Sequence, residues 1–247
     1  MAAQVDAPPL ALLCSVAVEA AQLRAALAGA REVQVGRKPA AEGMLDGVPV
    51  LLFPVGMGKT NAAHGATALL ETRPVRGVVG FGIAGAYPGS GLGVGGVALA
   101  SEAVYADEGV EAPDGWMSTE GIGIPLLERD GVRRFNRFPL DPARVERARA
   151  ALEAAGIPAR VGPALTVSSC SGTTARGEQL ARRFGALVEG MEGAALAHVC
   201  ALYGAPFLEL RAVSNTVEDR DLSTWRIRDA AEAAQRAVRV VAASWID

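Results

Sequence analysis

Short apolar runs alternate with segments of helical period along most of the chain. Continuous apolar runs at residues 10–16, 48–55 and 75–81 have the length and composition of strands that are covered on both faces. The segments that follow them repeat apolar residues at intervals of three and four, as helices that cover a sheet do. This alternation predicts an α/β fold with a mixed, mostly parallel central β-sheet flanked by helices on both faces. We expect a single domain over residues 1–247.

The second half of the chain continues the pattern. Asp141 and Pro142 supply an N-cap and a first-turn proline for a helix that reaches residue 155. The segment from about residue 109 to residue 139 lacks a clear period, which predicts a long loop region over the site. Further strands are predicted at residues 94–104, 160–167 and 206–213, and an amphipathic last helix at residues 227–243.

Composition limits the classes of partner. Half of the 247 residues are hydrophobic and the net charge is −3, so no basic face for nucleic acid and no polybasic membrane arm is present. The three cysteines and two histidines show no disulfide or ligand spacing, so we expect buried free thiols, no metal site and no cofactor. These features predict a cytoplasmic protein that binds a small molecule.

Carboxylates recur where a predicted strand gives way to a helix. Glu189 and Glu192 follow a short apolar run and precede an Ala-rich helical pattern, and Glu19 stands just before another helical pattern. The carboxyl ends of strands are where α/β proteins bind ligands, and a helix N-terminus favours an ionised carboxylate. We weight Glu192 toward function. For Glu189, an acidic helix start on the surface is an equal alternative.

Two glycine-rich strings follow predicted strands. The string Gly56-Met57-Gly58-Lys59 has neither the spacing of a phosphate loop nor that of a dinucleotide fingerprint, so nucleoside triphosphate binding is disfavoured. The string from Gly82 to Gly85 predicts backbone amides exposed to a ligand as the chain leaves the sheet. A small polar run at residues 168–174 opens a helix, and a capped helix start is the alternative to a ligand contact there.

Five motifs together resemble, in chain order, the purine nucleoside phosphorylase and nucleosidase superfamily. They are Glu19, Gly56 to Lys59, Gly82 to Gly85, the Met191-Glu192 pair and Arg211 to Asn215. Within that superfamily, residues 105–111, 189–195 and 214–221, with Trp225 after them, resemble the futalosine hydrolase family. That resemblance implies hydrolysis of the N-ribosidic bond of futalosine to hypoxanthine and dehypoxanthine futalosine, on a route to menaquinone, by a homo-oligomer.

The resemblance also implies roles for individual residues. Glu19 positions and deprotonates the attacking water, Met191 packs on the ribose, and Glu192 accepts hydrogen bonds from the ribose hydroxyls. Ser214 and Asn215 form the corner that binds the base, with Asn215 grouped with Glu19 and Glu192 as catalytic. The other implied substrate-binding positions are Ile83, Ala84, Gly85, Gly172, Thr173, Gly190 and Trp225. For the carboxyphenyl end of futalosine, the available side chains are Tyr105, Trp116, Trp225, Arg220 and Arg226.

Three departures from the adenine-cleaving and phosphorolytic members bear on the reaction. Asn215 stands where adenine-cleaving nucleosidases have an aspartate, and an amide donor suits a 6-oxopurine. Gly190 stands where those enzymes often carry another glutamate. Ile83 offers no hydroxyl, and neither glycine string contains an arginine for phosphate, which favours hydrolysis. The alternatives are a 6-oxopurine nucleoside phosphorylase, a methylthioadenosine/adenosylhomocysteine nucleosidase, and a nucleoside-binding protein without catalysis.

Overall fold

A computed structural model describes residues 7–113 and 115–245. The strands are β1 (Leu10–Cys14), β2 (Ala28–Val35), β3 (Lys38–Leu45), β4 (Val48–Pro54), β5 (Gly77–Ala86), β6 (Val97–Tyr105), β7 (Gly109–Ala112), β8 (Gly115–Ser118), β9 (Leu127–Arg129), β10 (Val132–Arg134), β11 (Arg137–Pro139), β12 (Ala159–Thr166), β13 (Val188–Gly190) and β14 (Phe207–Thr216). The helices are α1 (Ala21–Ala26), α2 (Lys59–Thr72), α3 (Thr119–Ile122), α4 (Pro142–Ala154), α5 (Thr174–Phe184), α6 (Gly193–Tyr203) and α7 (Ile227–Ala243), with short 3-10 turns at Ala17–Glu19 and Leu222–Thr224.

The central sheet is mixed, as predicted. Its order is β11-β6-β12-β13-β5-β1-β4-β3-β2, and β14 pairs with both β5 and β6. The apolar β1 lies between β4 and β5, parallel to both, and the side chains of Leu10, Leu12 and Leu13 are fully buried. Among the described strands of this sheet, antiparallel pairings are as frequent as parallel ones, because β2, β3 and β4 form a meander at one edge.

Helices cover both faces of the sheet, as predicted. Gly77 and Gly80 of β5 are three residues apart, so they face opposite sides of the sheet. A Cβ at Gly77 would collide with the Trp245 indole just after α7, and a Cβ at Gly80 would lie 3.0 Å from Leu196 Cδ1 in α6. The bounds of α7 match the prediction, and the Asp141 side chain caps α4. No helix in the described part of the chain is long and apolar enough to cross a membrane.

The sequence pattern did not reveal the β2–β3–β4 meander. Most residues of β2 are exposed, so that strand carries no apolar run. The connection between β3 and β4 is the two-residue turn Asp46-Gly47, with φ of 50° and 83°. Asp-Gly between alternating segments is the strongest short-range hairpin signal, because both turn positions need positive φ. That dipeptide was the evidence in the sequence for this hairpin.

The segment from residue 109 to residue 139 is structured, which corrects the predicted loop. It contains the β7–β8 and β9–β10 hairpins, α3 and β11, and Asn136 ties it together. The Asn136 side chain donates to the carbonyls of Tyr105 and Glu108 and accepts from the amide and hydroxyl of Thr119. Short strands without an apolar face leave no hydrophobic period in the sequence. This segment is held in place largely by side-chain hydrogen bonds, which a hydrophobic pattern does not show.

Two strands extend further than their apolar runs indicate. The string from Gly82 to Gly85 was predicted to follow its strand, but it lies inside β5. Ser214 to Thr216, beyond the predicted strand end at residue 213, likewise lie inside β14. The β14–β5 register shifts between Val213 and Asn215, which makes Ser214 the extra residue of a β-bulge. A bulge bends the strand and re-aims its side chains. This bulge sets the geometry of the candidate site.

Candidate active site

One cavity of about 460 Å³ collects most of the residues that the sequence predicted. We call it the site cavity. It lies among the ends of β1, β5, β13 and β14 and is lined by Ser15, Val16, Glu19, Met57, Ile83, Ala84, Gly85, Cys170, Ser171, Glu189, Gly190, Met191, Glu192, Ser214, Asn215, Arg220 and Trp225. Cavities of about 520 and 550 Å³ lie elsewhere on the surface; Trp116 lines the larger one, and none of the other residues predicted for the site lines either. The buried carboxylates and the amide corner therefore decide which cavity is the candidate site.

Glu19 is fixed in place by the backbone. Its Oε2 accepts from the amides of Ser15 at 2.9 Å and Val16 at 3.1 Å, and its Oε1 accepts from the amide of Ile83 at 2.9 Å. The carboxylate is 2 % exposed and lines the cavity. A Cβ at Gly82 would overlap Oε1, so β5 needs glycine next to this carboxylate. Three donors from two elements leave the Glu19 side chain with one orientation.

Glu192 occupies the N-cap position of α6, but its side chain does not cap that helix. Its Oε1 instead accepts from the amide of Gly58, at the start of α2, at 2.8 Å. Glu192 therefore interacts with a helix N-terminus, as predicted, but the helix is α2 and not α6. The Gly-Met-Gly-Lys string holds a carboxylate of the protein through Gly58, while Lys59 pairs with Asp107 and Glu108.

A buried ion cluster lies behind Glu192. Arg211 Nε donates to Glu209 Oε1 at 2.9 Å, and Arg211 Nη1 lies 3.5 Å from Glu192 Oε2. Burial raises the pKa of Glu209, and Arg211 opposes that rise. Burial alone would lower the pKa of Arg211, but Glu209, Glu192 and Glu19 together raise it. Arg211 therefore stays charged and holds the position of Glu192.

The Glu209–Arg211 pair was not among the residues predicted from the sequence. Charged residues two apart in an apolar strand face the same side of the sheet, which is the sequence signal for a buried ion pair. A Cβ at Gly193 would overlap the carboxylate of Glu209. The first residue of α6 is therefore glycine because the helix passes directly over this carboxylate.

The bulge in β14 builds the predicted base-binding corner. Ser214 and Asn215 are consecutive, yet both line the cavity, because the bulge interrupts the alternation of faces. Ser214 Oγ lies 2.8 Å from Asn215 Oδ1, and Asn215 Nδ2 donates to the carbonyl of Thr216 at 2.9 Å. These contacts fix the amide orientation and leave one N–H and one oxygen lone pair of Asn215 for a ligand.

Glu189 is a buried cavity residue, not an acidic residue on the surface. Its Oε1 accepts from the amide of Ser171 at 2.6 Å, and its Oε2 accepts from the hydroxyls of Tyr87 and Ser171, both at 2.7 Å. This network fastens the segment after β12 to the sheet, so that Cys170 and Ser171 line the cavity. The role of Tyr87 could not be predicted from the sequence, because nothing in the sequence distinguishes a tyrosine that binds a carboxylate from one that only packs in the core.

Gly172 and Thr173 lie outside the cavity lining, next to Cys170 and Ser171, which are part of it. Thr173 is the N-cap of α5, and its hydroxyl accepts from the amide of Arg176 at 3.2 Å. Its polar group is therefore used by the helix. The capped helix start that was the alternative is present at Thr173, and a substrate contact by Gly172 or Thr173 stays a prediction.

The remaining predicted positions divide between those that line the site cavity and Tyr105, Trp116 and Arg226, which lie outside its lining. Ile83, Ala84 and Gly85 line one wall through β5, and Gly190 and Met191 line another. Trp225 follows the 3-10 turn Leu222–Thr224, and the guanidinium of Arg220 lies 4.9 Å from its ring centroid. Both line the cavity.

Comparison with known proteins identifies the family. A family model described as the phosphorylase superfamily matches residues 9–244. A futalosine hydrolase of Thermus thermophilus is 40% identical over 196 residues, covering 79% of this chain and 82% of that protein. A 5'-methylthioadenosine/S-adenosylhomocysteine nucleosidase of Geobacillus thermodenitrificans is 34% identical over 208 residues, covering 83% of both.

A solved structure has the same fold. It is a 5'-methylthioadenosine/S-adenosylhomocysteine nucleosidase from Neisseria meningitidis in complex with methylthio-immucillin-A, with a TM-score of 0.83 at 23% identity, covering 97% of this chain and all of that one. Relatives with two different activities in their names are 40% and 34% identical to this chain, so the family they share is the broader one. This chain belongs to the phosphorylase superfamily.

Proposed function

We propose that this protein hydrolyses the N-ribosidic bond of futalosine, releasing hypoxanthine and dehypoxanthine futalosine on the futalosine route to menaquinone. The observation that carries the proposal is the meeting of Glu19, Glu192 and Asn215 in one cavity, with an amide at the base-binding corner. The 40% identity to a futalosine hydrolase supports it.

Glu19 is suited to position and deprotonate water. A carboxylate offers about four acceptor directions, and three of them are taken by backbone amides. The remaining direction, on Oε1, is available to a water molecule. A fixed base that needs no rearrangement lowers the barrier by orientation as well as by proton transfer.

Glu192 is suited to the sugar. Breaking the N-ribosidic bond gives the ribose an oxocarbenium character, and a nearby anion favours that positive charge. Gly58 and Arg211 hold the carboxylate from behind without using all of its acceptor directions, so the ribose hydroxyls can donate to it. Met191 lies beside it in the lining and packs on the sugar.

Asn215 is suited to a 6-oxopurine. Its free N–H donates to O6 or N7 of hypoxanthine as negative charge grows on the leaving base. An adenine amino group would face the same N–H and leave buried polar atoms unpaired, at a cost of about 1–3 kcal/mol, or roughly one to two decades of discrimination.

Hydrolysis is favoured over phosphorolysis by the charges around the cavity. Its lining contains the carboxylates Glu19, Glu189 and Glu192. The amides of Ile83 and Gly58, which could otherwise hold an anion, already bind carboxylates of the protein. Next to these carboxylates a phosphate dianion would therefore meet repulsion, and the amides that contact them offer it no free donor.

The test is release of free base from futalosine, inosine and methylthioadenosine, with and without phosphate. We expect hypoxanthine from futalosine without phosphate, and loss of at least 100-fold in kcat for Glu19→Gln and Glu192→Gln. Glu232→Gln, at an exposed position on α7, is the matched control.

Two outcomes would replace the proposal. Cleavage of inosine only with phosphate would show a 6-oxopurine nucleoside phosphorylase. Preference for methylthioadenosine would show an adenine-specific nucleosidase like the Geobacillus relative and contradict the role given to Asn215. The predicted homo-oligomer is tested separately by sedimentation of the purified chain.

A further inference from the structure

The site cavity has an excess of negative charge. Three carboxylates line it, and Arg220 is the one cationic side chain among its described lining residues. An anionic substrate would be repelled by such a cavity unless a cation met its charge. Arg220 is the group in position to do so.

Within the described ranges 7–113 and 115–245, Arg220 forms a cation–π contact with Trp225 but no ion pair or hydrogen bond with another residue. Its acidic neighbours are committed elsewhere. Asp219 Oδ1 accepts from the amide of Thr174 at 3.1 Å, and Asp221 Oδ1 accepts from the amide of Ser223 at 2.9 Å. The guanidinium donors of Arg220 therefore remain available to a ligand.

Trp225 sets the place of the guanidinium. The 3-10 turn Leu222–Thr224 folds the chain back so that Arg220 lies 4.9 Å from the Trp225 ring centroid, a cation–π arrangement. The amide of Arg226 donates to the carbonyl of Ser214 at 2.9 Å, which ties this turn to the bulge beside the base-binding corner. An aromatic face and an unpaired cation thus lie side by side on one wall of the cavity.

We propose that Arg220 binds the carboxylate of the substrate's carboxyphenyl group and that Trp225 packs against its ring. This rests on the proposed function, because futalosine carries that group and inosine does not. A planar guanidinium can bind a carboxylate with two parallel hydrogen bonds. A neutral purine base and neutral ribose hydroxyls need no cation, so the carboxylate is the feature of the substrate that calls for Arg220.

The experiment separates binding from turnover by using the Glu19→Gln background, in which substrate stays intact. Calorimetry measures Kd for futalosine, its carboxamide analogue and inosine, with Arg220 present and with Arg220→Gln. We expect Arg220→Gln to weaken futalosine binding roughly 10- to 100-fold and to change Kd for the carboxamide analogue and inosine less than 3-fold. Arg220→Lys keeps the charge but not the fork and should recover part of the loss.

Arg228→Gln removes a neighbouring positive charge that does not line the cavity and should change none of the three. In the enzyme with Glu19 intact, Arg220→Gln should raise KM for futalosine more than it lowers kcat. Equal losses for futalosine and its carboxamide, or no loss for either, would overturn the proposal. A wild-type protein that binds futalosine through Arg220 but does not cleave it would refute only the proposed function.

Discussion

Gly82→Ala is the substitution that most directly tests whether the backbone positions Glu19, the proposed catalytic base. It changes no group that touches substrate. The new Cβ would overlap Glu19 Oε1, lie 3.0 Å from Glu19 Cδ and lie 3.2 Å from Arg211 Nη1. The φ of 154° at this position also favours glycine. The carboxylate must therefore move, and its hydrogen bond from the Ile83 amide at 2.9 Å must lengthen or break.

The size of the effect follows from the displacement. Restoring an ordinary contact moves the Glu19 carboxylate by about 1 Å, and a misplacement of that size costs on the order of 100-fold in rate. This corresponds to about 2.7 kcal/mol in the activation barrier. We expect kcat for futalosine to fall by that factor and KM to rise much less, because the new Cβ meets Glu19 directly and reaches Glu192 only through Arg211.

The assay is hypoxanthine release in four variants. Gly82→Ala and Glu19→Gln are measured alone and together, and Gly93→Ala serves as the glycine control, because a Cβ there meets nothing within 4 Å. We expect Gly82→Ala to add no further loss once Glu19 is Gln, since both changes remove the same function. Full activity of Gly82→Ala, or the same 100-fold loss in both backgrounds, would refute the reasoning. A thermal melt of each variant separates loss of fold from loss of activity.

Three other predictions follow. Asn215→Asp should shift the ratio of kcat/KM for futalosine and methylthioadenosine toward the adenine nucleoside by roughly 10- to 100-fold, because the donor to O6 or N7 becomes an acceptor; an unchanged ratio would contradict the role of the amide. Desolvation, together with Glu189 and Glu192, raises the pKa of Cys170 to about 11, so alkylation followed by mass spectrometry should accelerate up to that pH, whereas rapid labelling at pH 7 would argue against it. Burial lowers the pKa of His198, so the unfolded chain binds more protons just below pH 6.5 and stability falls on acidification from pH 7 to 5; urea unfolding should show a smaller fall for His198→Gln.

The fold was predictable wherever a strand is buried on both faces. The strand β1 is such a case, because its residues must all be apolar and the sequence shows this directly. The strands β2 and β7 have mostly exposed residues and left no apolar run. These strands are fixed by turns such as Asp46-Gly47 and by side-chain hydrogen bonds such as those of Asn136. The pattern of hydrophobic residues contains neither feature.

The site was predictable through residue types and only partly through their partners. Glu19 and Glu192 stood at strand-to-helix junctions, which placed them in the cavity. The bulge at Ser214 was not visible in the sequence, because it arises from the register between β14 and β5. Arg211 lay inside a motif that carried the resemblance, yet its contacts with Glu209 and Glu192 follow from which strand faces which helix, a tertiary fact.

The glycines of the resembling motifs now have a common physical reason. Gly58 gives its amide to Glu192, and Gly82 leaves the space that the Glu19 carboxylate fills. Both carboxylates proposed to be catalytic are thus oriented by main-chain groups, which move less than side chains and cost no rotamer entropy when the substrate binds. A phosphate loop also spends glycine amides on an anion, but here the anions belong to the protein. In this chain the two glycine strings bind Glu192 and Glu19 through the amides of Gly58 and Ile83. A phosphate could use those amides only by displacing the two carboxylates.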